Sequence, residues 1–323
     1  GQTREEAYDK LVLATGTVPV LPGSIEGIHS PNVFTIRNVV DIERLQAKLN
    51  EADTKNVAVV GGGFIGVEAA ENLRKIGKNV ALIEGTDQIL APYDYDMAQV
   101  LHKELDDNGV KLHVSSTVTA IEEGKVKALR DGKEFTVPAD AVVMAVGARP
   151  QTELAQKTGL TIGRTGGIRV DHNYRTVDKD IYAVGDAIES YNALAHAPGR
   201  IALAGPTQRQ ARAAADHICG ILNSNKGYIG SSCIKVFGQN AACTGLNEKE
   251  AKRLGYSYDS VMIFPMDKVG LMPGANYMVF KLVFEVPTGR ILGAQAIGTG
   301  ECDKRVDVIA AMITMGGTLE DLK

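Results

Sequence analysis

Between residues 56 and 84 the chain reads NVAVVGGGFIGVEAAENLRKIGKNVALIE, and this stretch leaves little choice of fold. Residues 57–60 are a short apolar, β-branched run, the pattern of a strand buried in a parallel sheet. The run ends in Gly61, Gly63 and Gly66, spaced G-x-G-x-x-G. After the glycines the sequence predicts an amphipathic helix with Ile65, Ala69, Leu73 and Ile76 on one face, stopped by Gly77. A second strand, 80–83, ends on Glu84. A strand before the glycines, a helix after them and an acid at this distance are the layout of a dinucleotide site. Gly61 permits the tight turn, Gly63 lets the backbone approach a pyrophosphate, and Gly66 lets helix and strand pack closely. The pyrophosphate is expected on the helix N-terminus, where N–H groups and the dipole favour negative charge. Glu84 is placed to accept hydrogen bonds from a ribose. A carboxylate there opposes the extra phosphate of NADPH, so the nucleotide is expected to be NADH. The stretch after it, GTDQILAPYDYD, has no Lys or Arg and adds Asp87, Asp94 and Asp96.

Composition narrows the class. The 323 residues suffice for about two or three domains. A net charge of -4 gives no reason to expect nucleic acid or an anionic membrane surface as partner. No apolar run reaches the length of a membrane span, and no signal peptide is visible. Cys219, Cys233, Cys243 and Cys302 make no C-x-x-C and no metal-ligand spacing. No metal is therefore expected, and the thiols read as reduced, mostly structural ones of a cytoplasmic protein.

In chain order, 8–15 predicts a strand ending at Gly16, and TVPVLPGSIEG after it a surface connection. Residues 41–51 predict a short helix, 94–108 a second one closed by Gly109, and 111–114 a strand. The alternating stretch 117–137, with its GK and DG turns, predicts an antiparallel meander. YDKLVLATGTVP (8–19) then repeats as ADAVVMAVGARP (139–150), and IYAVGDA (181–187) is a third relative. Each reads as a buried strand ending in a glycine where the chain turns beside something bulky. Two copies bracketing the dinucleotide unit predict a domain inserted into another sheet, the outer strands being 8–16 and 181–187. From about Gly227 the pattern changes to strands at 232–237, 257–264, 277–285 and 291–297, with a hairpin at VPTGR. Asn247 is a good N-cap for a helix to Leu254, and 303–315 is an apolar-faced helix.

These residues resemble a known family. LVLATG, GGGFIGVEAAENL, VVMAVGARP, TVDKDIYAVGDA, LAGPTQRQARAAA, EKEAKRLGY and TGRILGAQAIGTGECDKRVDVIAAMI stand in this order. Together they are similar to the FAD-dependent pyridine nucleotide-disulfide oxidoreductases, most of all to the branch of NADH oxidases, NADH peroxidases and coenzyme A-disulfide or persulfide reductases. The resemblance covers nearly every residue. It implies an α/β fold: a Rossmann-like NAD(P)-binding domain inserted in a partial FAD-binding domain, plus a C-terminal α+β dimerisation domain. The boundaries read as 1–40 and 151–225 for the FAD part, 41–150 for the NAD part and 226–323 for the dimerisation part. It implies that Asp186 binds the ribityl chain of FAD; read alone, Asp186 is a helix N-cap, and the two roles are compatible. Ala204, Gly205 and Pro206 would lie near the flavin ring, at the start of a helix over 207–221, and Gly16 is counted among the cofactor contacts. Ile65 and Gly147 would flank the nicotinamide half of NADH, and Glu68 would reach toward it. Read alone, Glu68 is a first-turn acid favoured by the helix dipole.

The resemblance further implies hydride transfer from NADH via FAD to a small acceptor: oxygen, peroxide, persulfide or disulfide. It also implies a homodimer built on the C-terminal part. Three departures stand against the pattern. A second G-x-G-x-x-G for FAD and the redox cysteine after it are not in this sequence, so it reads as a fragment lacking roughly the first hundred residues. The sequence stops early at GGTLEDLK. Leu271 and Met272 occupy places before the PGA where disulfide and persulfide reductases carry tyrosines, which weighs against coenzyme A-disulfide reduction. No catalytic residue is assigned. Cys243 reads as a core thiol and His196 as a surface histidine. Two other readings stand beside this one: an NADH-dependent reductase of a small electron-carrier protein, and a nucleotide-binding, dimerising module without activity. The first calls for a basic docking patch, and the sequence shows no clear one.

Overall fold

The computed structural model describes residues 3–222 and 224–323. The chain opens with β1 (Leu11–Leu13), β2 (Thr17–Pro19), β3 (Val33–Phe34) and α1 (Val39–Leu49). Next come β4 (Asn56–Val60), α2 (Phe64–Lys75), β5 (Asn79–Ile83), α3 (Tyr95–Asp107) and β6 (Val110–His113). A meander of β7 (Thr117–Glu122), β8 (Lys125–Arg130) and β9 (Lys133–Pro138) leads to β10 (Ala141–Met144) and β11 (Ala148–Pro150). Then follow α4 (Glu153–Lys157), β12 (Ile181–Ala183), β13 (Ser190–Asn192), β14 (Ala197–Gly199) and α5 (Ala204–Ile218). The last part is β15 (Ser231–Val236), β16 (Gln239–Gly245), α6 (Glu248–Arg253), β17 (Tyr258–Ile263), β18 (Met278–Glu285), β19 (Ile291–Gly298) and α7 (Cys302–Met315).

Two compact units result, Gly1–Val18 with Ala148–Gly230 and Pro19–Gly147 with Ser231–Lys323. In the first, β1 and β12 pair in parallel. β1 is shorter than the strand expected at 8–15 and is only partly buried: Leu13 is in the core, but Val12 is 44% exposed. The connection expected after Gly16 contains β2, which pairs with β11. Helix α5 starts three residues ahead of expectation, with Pro206 in its first turn. A proline is tolerated there because first-turn N–H groups have no intrahelical partner.

In the second unit a parallel sheet runs β3-β10-β4-β5-β6. One face is covered by the meander, which packs Val118, Ile121, Val126 and Val137 against Ala58, Val60, Ile83 and Met144. The other face is covered by helices, and its core is continuous with the C-terminal sheet β15-β16-β19-β18-β17. Leu73, Leu101 and Leu105 share a cluster with Ile234, Val236, Cys243 and Ile297. The burial of Ala69 and Leu73 matches the expected face of α2, but Ile65 and Ile76 are exposed. The buried stripe is instead Gly66, Val67, Ala70 and Leu73. The helix is rolled so that Gly66 lies against β4, which turns Ile65 outward.

A polar junction ties the C-terminal sheet to the start of α3. Asp94 and Gln295 bond reciprocally, the Asp94 N–H donating to Gln295 Oε1 and Gln295 Nε2 donating to Asp94 Oδ2, both at 2.7 Å. The other Asp94 oxygen accepts the Glu248 N–H at 2.9 Å. Lys281, 4% exposed, reaches Asp96 at 2.8 Å, Asp94 at 3.3 Å and Glu248. Burial pulls the Lys281 pKa down, but hydrogen bonds to Asp96 and Glu248 and the charges of Asp94 and Asp96 outweigh it, so the pKa is raised. A raised lysine contributes its stability at neutral pH and loses it only in alkali. The three acids against one base are helped by the positive N-termini of α3 and α6, both of which point here.

Removing Lys281 would strand the buried Asp94 carboxylate. Lys281→Met is expected to lower the urea-unfolding free energy by about 3–5 kcal/mol. Asp96→Asn, whose side chain is half exposed, should cost within about 1 kcal/mol. Equal losses from the two would show that the junction does not work as a buried ion cluster.

Candidate nucleotide and flavin sites

The turn between β4 and α2 is built by close backbone approach. Gly61 has φ +109, and a Cβ there would lie 2.3 Å from the Ala145 carbonyl oxygen at the end of β10. A Cβ on Gly66 would lie 1.9 Å from the Gly61 oxygen. Neither neighbour can move, since both are backbone, so glycine is required at both places. Gly63 differs: it is exposed, and a Cβ would meet nothing within 4 Å. It is the N-cap of α2 and supplies no capping side chain, and no acid stands in the helix's first turn. The first N–H groups of a 12-residue helix therefore face open space, with the positive end of its dipole. An anion such as a pyrophosphate fits this cradle.

Glu84 follows β5 directly. Its Oε2 accepts the Gly62 N–H at 2.6 Å, and its Oε1 accepts the Thr86 N–H and hydroxyl, each at 2.8 Å. A carboxylate offers about four acceptor positions. One on Oε2 is left for a ribose hydroxyl. Gly62, the middle glycine, has no place of its own in the G-x-G-x-x-G spacing. Its N–H orients Glu84 and its carbonyl accepts from Leu90 N at 2.8 Å. The run of three glycines is the signal that could have found it. Of the nearby acids, Asp87 is exposed and lies three residues after Glu84. Asp94 and Asp96, which open α3, are instead paired with Lys281 in the junction with the C-terminal sheet.

Ile65 and Glu68 share an exposed side of α2; Glu68 is the fifth residue of the helix, past its first turn, and so is not the first-turn acid read from the sequence. Gly147, with φ +104, lies just past β10, where the N–H of the intervening Ala145 bonds to the Val60 carbonyl. The structure thus gathers Gly61, Gly63, Ile65, Gly66, Glu68, Glu84 and Gly147 at the carboxyl end of one parallel sheet, where α/β sheets bind ligands.

Gly16, Asp186 and Ala204 belong to the other unit and are gathered separately. Gly16, φ +67, follows β1 and accepts from the Gln151 N–H. Asp186 sits inside a 3-10 turn, Gly185–Ala187, at the end of β12. It is not an N-cap; that place is held by Val184, whose N–H bonds to Leu13 in β1. Gln210 of α5, 3% exposed, accepts the Gly185 N–H at 2.7 Å and so locks the turn that presents Asp186. Nothing in the sequence marks Gln210. Ala204 is the exposed first residue of α5. A half-buried acid beside a helix start suits the hydroxyl chain of a flavin.

Among the described residues no group of His, Cys, Asp and Glu is placed to hold a metal ion. All four cysteines are free. Cys243 and Cys302 are buried; burial pushes the Cys243 thiol up, and the Cys302 thiol up to about 11. Such thiols are poor nucleophiles at neutral pH. Cys219 and Cys233 are exposed, while Cys243 is buried, as expected of a core thiol. His196 is an exposed loop residue with φ +49, its Nδ1 3.4 Å from the Tyr191 hydroxyl.

A model of the pyridine nucleotide-disulphide oxidoreductases matches residues 1–211, and one of their dimerisation domain matches 231–323. The chain belongs to this family. It is 35% identical over 313 residues to an NADH oxidase of Streptococcus pneumoniae, covering 92% of this chain and 68% of that one. The structure of reduced Bacillus anthracis CoADR-RHD superposes with a TM-score of 0.95 at 40% identity over 99% of this chain and 58% of that one. A NAD-dependent persulfide reductase from A. fulgidus gives 0.93 at 36% identity, covering 98% and 58%. The chain therefore spans little more than half the length of these two solved relatives.

The loop after Glu84 carries a pH-sensitive support. His102 Nε2 accepts the Ile89 N–H at 3.1 Å, so the ring is neutral at that nitrogen. Burial lowers the His102 pKa against a smaller opposing pull from Asp87. With the folded value below the unfolded one, stability is full above the ordinary histidine value of about 6.5 and falls as pH drops from there to the folded value. Melting temperatures from about pH 8 to about pH 5 should fall less steeply for His102→Gln than for the wild type. Parallel curves would remove His102 from the acid response.

Proposed function

We propose that this chain is the nucleotide-binding, partial flavin-binding and dimerising part of a flavin-dependent NADH oxidoreductase. It passes hydride from NADH via FAD to a small acceptor: oxygen, peroxide, persulfide or disulfide. The observation that carries the reading is the joint geometry of Gly61, Gly63, Gly66 and Glu84. It supplies an open helix N-terminus for a pyrophosphate and an oriented carboxylate for a ribose. Family membership and the names of the relatives support the flavin half.

In this reading the first N–H groups of α2 hold the pyrophosphate and Glu84 the adenosine ribose. Ile65, Glu68 and Gly147 border the nicotinamide. Gly16, Asp186 and Ala204 contact FAD, with Asp186 on the ribityl chain. FAD supplies the hydride chemistry, and these residues bind and orient. We assign 41–150 to the nucleotide domain, 1–40 and 151–225 to the flavin domain and 226–323 to the dimerisation domain. No described helix is long and apolar enough to cross a membrane. Four free thiols support a reducing compartment, the cytoplasm.

Glu84 should make the protein prefer NADH. Its charge would face the NADPH phosphate in a site with little water to screen it. Isothermal titration is expected to show NADH bound more tightly than NADPH by about 1–3 kcal/mol, the worth of a charged hydrogen bond. In Glu84→Ser that preference should shrink. Equal affinities in the wild type, or a preference the substitution leaves intact, would show that Glu84 does not read the ribose.

A homodimer through the C-terminal sheet is supported by the family's dimerisation domain and by an exposed apolar patch. Val261, Ile263 and Tyr277 are exposed, and Phe264 is 64% exposed. The cover needed is smaller than the sequence implied, because Met278, Leu282 and Val283 of β18 are already buried inside the unit. Sedimentation at tens of micromolar, roughly the range of weak association, should give a dimer that Phe264→Asp dissociates. A wild-type monomer would count against it.

A further inference from the structure

Loop 84–94, between β5 and α3, begins with the carboxylate assigned to the ribose and ends in the junction with the C-terminal sheet. Its first half is bound to the glycine turn. Gly62 N–H reaches Glu84 at 2.6 Å and Leu90 N–H reaches the Gly62 carbonyl at 2.8 Å. Leu90 holds φ +51, a conformation leucine rarely adopts unless its surroundings impose it. Ile89, Leu90 and Tyr93 are fully buried. At the far end, anchors come from the C-terminal segment. Asn247 Nδ2 donates to the Ala91 carbonyl at 3.0 Å. Gln295 holds both the N–H and the carboxylate of Asp94 at 2.7 Å. Asn247 and Gln295 are themselves buried, at 6% and 1% exposure, so these bonds form out of reach of competing water.

We propose that Asn247 and Gln295 are positioning residues for the dinucleotide. They touch no ligand. From the C-terminal sheet they fix Ala91 and Asp94, hence the course of 84–90, hence the Gly62 peptide and the Glu84 carboxylate. The inference rests on the reading of Gly61 to Glu84 as a nucleotide site. It adds that affinity there is set in part by residues more than 150 positions away in sequence. Coupling of this kind is reciprocal, so a bound dinucleotide strengthens the hold of the sheet on the loop by the same factor.

Asn247 allows a clean test because its two side-chain atoms do separate work. Oδ1 caps α6 by accepting the Glu250 N–H at 2.8 Å, while Nδ2 holds Ala91. Asn247→Asp keeps the cap, since aspartate caps as well as asparagine, and sets a carboxylate against the Ala91 carbonyl. In the full chain, NADH affinity by titration calorimetry is expected to fall by about 5- to 150-fold, the usual span of coupled sites. Amide hydrogen exchange should accelerate at Gly62, Thr86 and Leu90 and stay slow in β4. Gln295→Met should act in the same direction. Should Asn247→Asp melt before titration, Asn247→Ser, which keeps a capping oxygen, takes its place. An NADH affinity within twofold of wild type, or exchange that speeds up in β4 as much as in the loop, overturns the proposal. Wild-type protein that binds no NADH overturns the nucleotide site itself and the proposal with it.

Discussion

The approach of Gly66 to the Gly61 carbonyl sets the position of everything near the nucleotide cradle. With no side chain on Gly66, α2 comes close to the Gly61 carbonyl just past β4, where a Cβ would lie 1.9 Å from that oxygen. The helix N-terminus then opens at the carboxyl end of the sheet, beside Ala145 of the next strand. The same contact decides the roll of the helix. It buries Val67, Ala70 and Leu73 and leaves Ile65 and Glu68 outside, at the end where a ligand would lie.

The C-terminal sheet is joined to the nucleotide sheet in two ways of unlike character. The shared apolar core, in which Leu101 and Ile234 are members of one cluster, supplies non-directional burial. The junction of Asp94, Gln295, Lys281 and Glu248 supplies direction. Burying one ammonium and its acids costs desolvation that an apolar substitute would avoid. What the polar arrangement provides is a fixed register between α3, α6 and β19, because each donor finds an acceptor in one arrangement.

Much of this was legible in the sequence where the signal is local. The strand, glycines, helix and acid of 56–84 form within a few residues of one another, as do the Asn247 cap and the meander. Reading failed where tertiary packing decides. The strand β16, which ends in AACTG, has too few large apolar residues to stand out, yet it lies between β15 and β19 and buries Ala241, Ala242, Cys243 and Thr244. Ile65 fitted a helical stripe but lost to Gly66 for the place on the sheet. Asp94 and Asp96 looked like charges beside a ribose, since their partner Lys281 is distant along the chain. Gln210 and Gln295 act through single buried hydrogen bonds between elements far apart in sequence, and no pattern of spacing marks such residues.

The distribution of the thiols has a practical consequence. Cys219 and Cys233 are exposed and Cys243 and Cys302 are buried with raised pKa values. Cys219 belongs to one compact unit and Cys233 to the other. The native sequence therefore carries one accessible attachment point for a spectroscopic label on each unit, without any engineered cysteine. A donor and acceptor pair placed there would report the distance between the units as nucleotide is added.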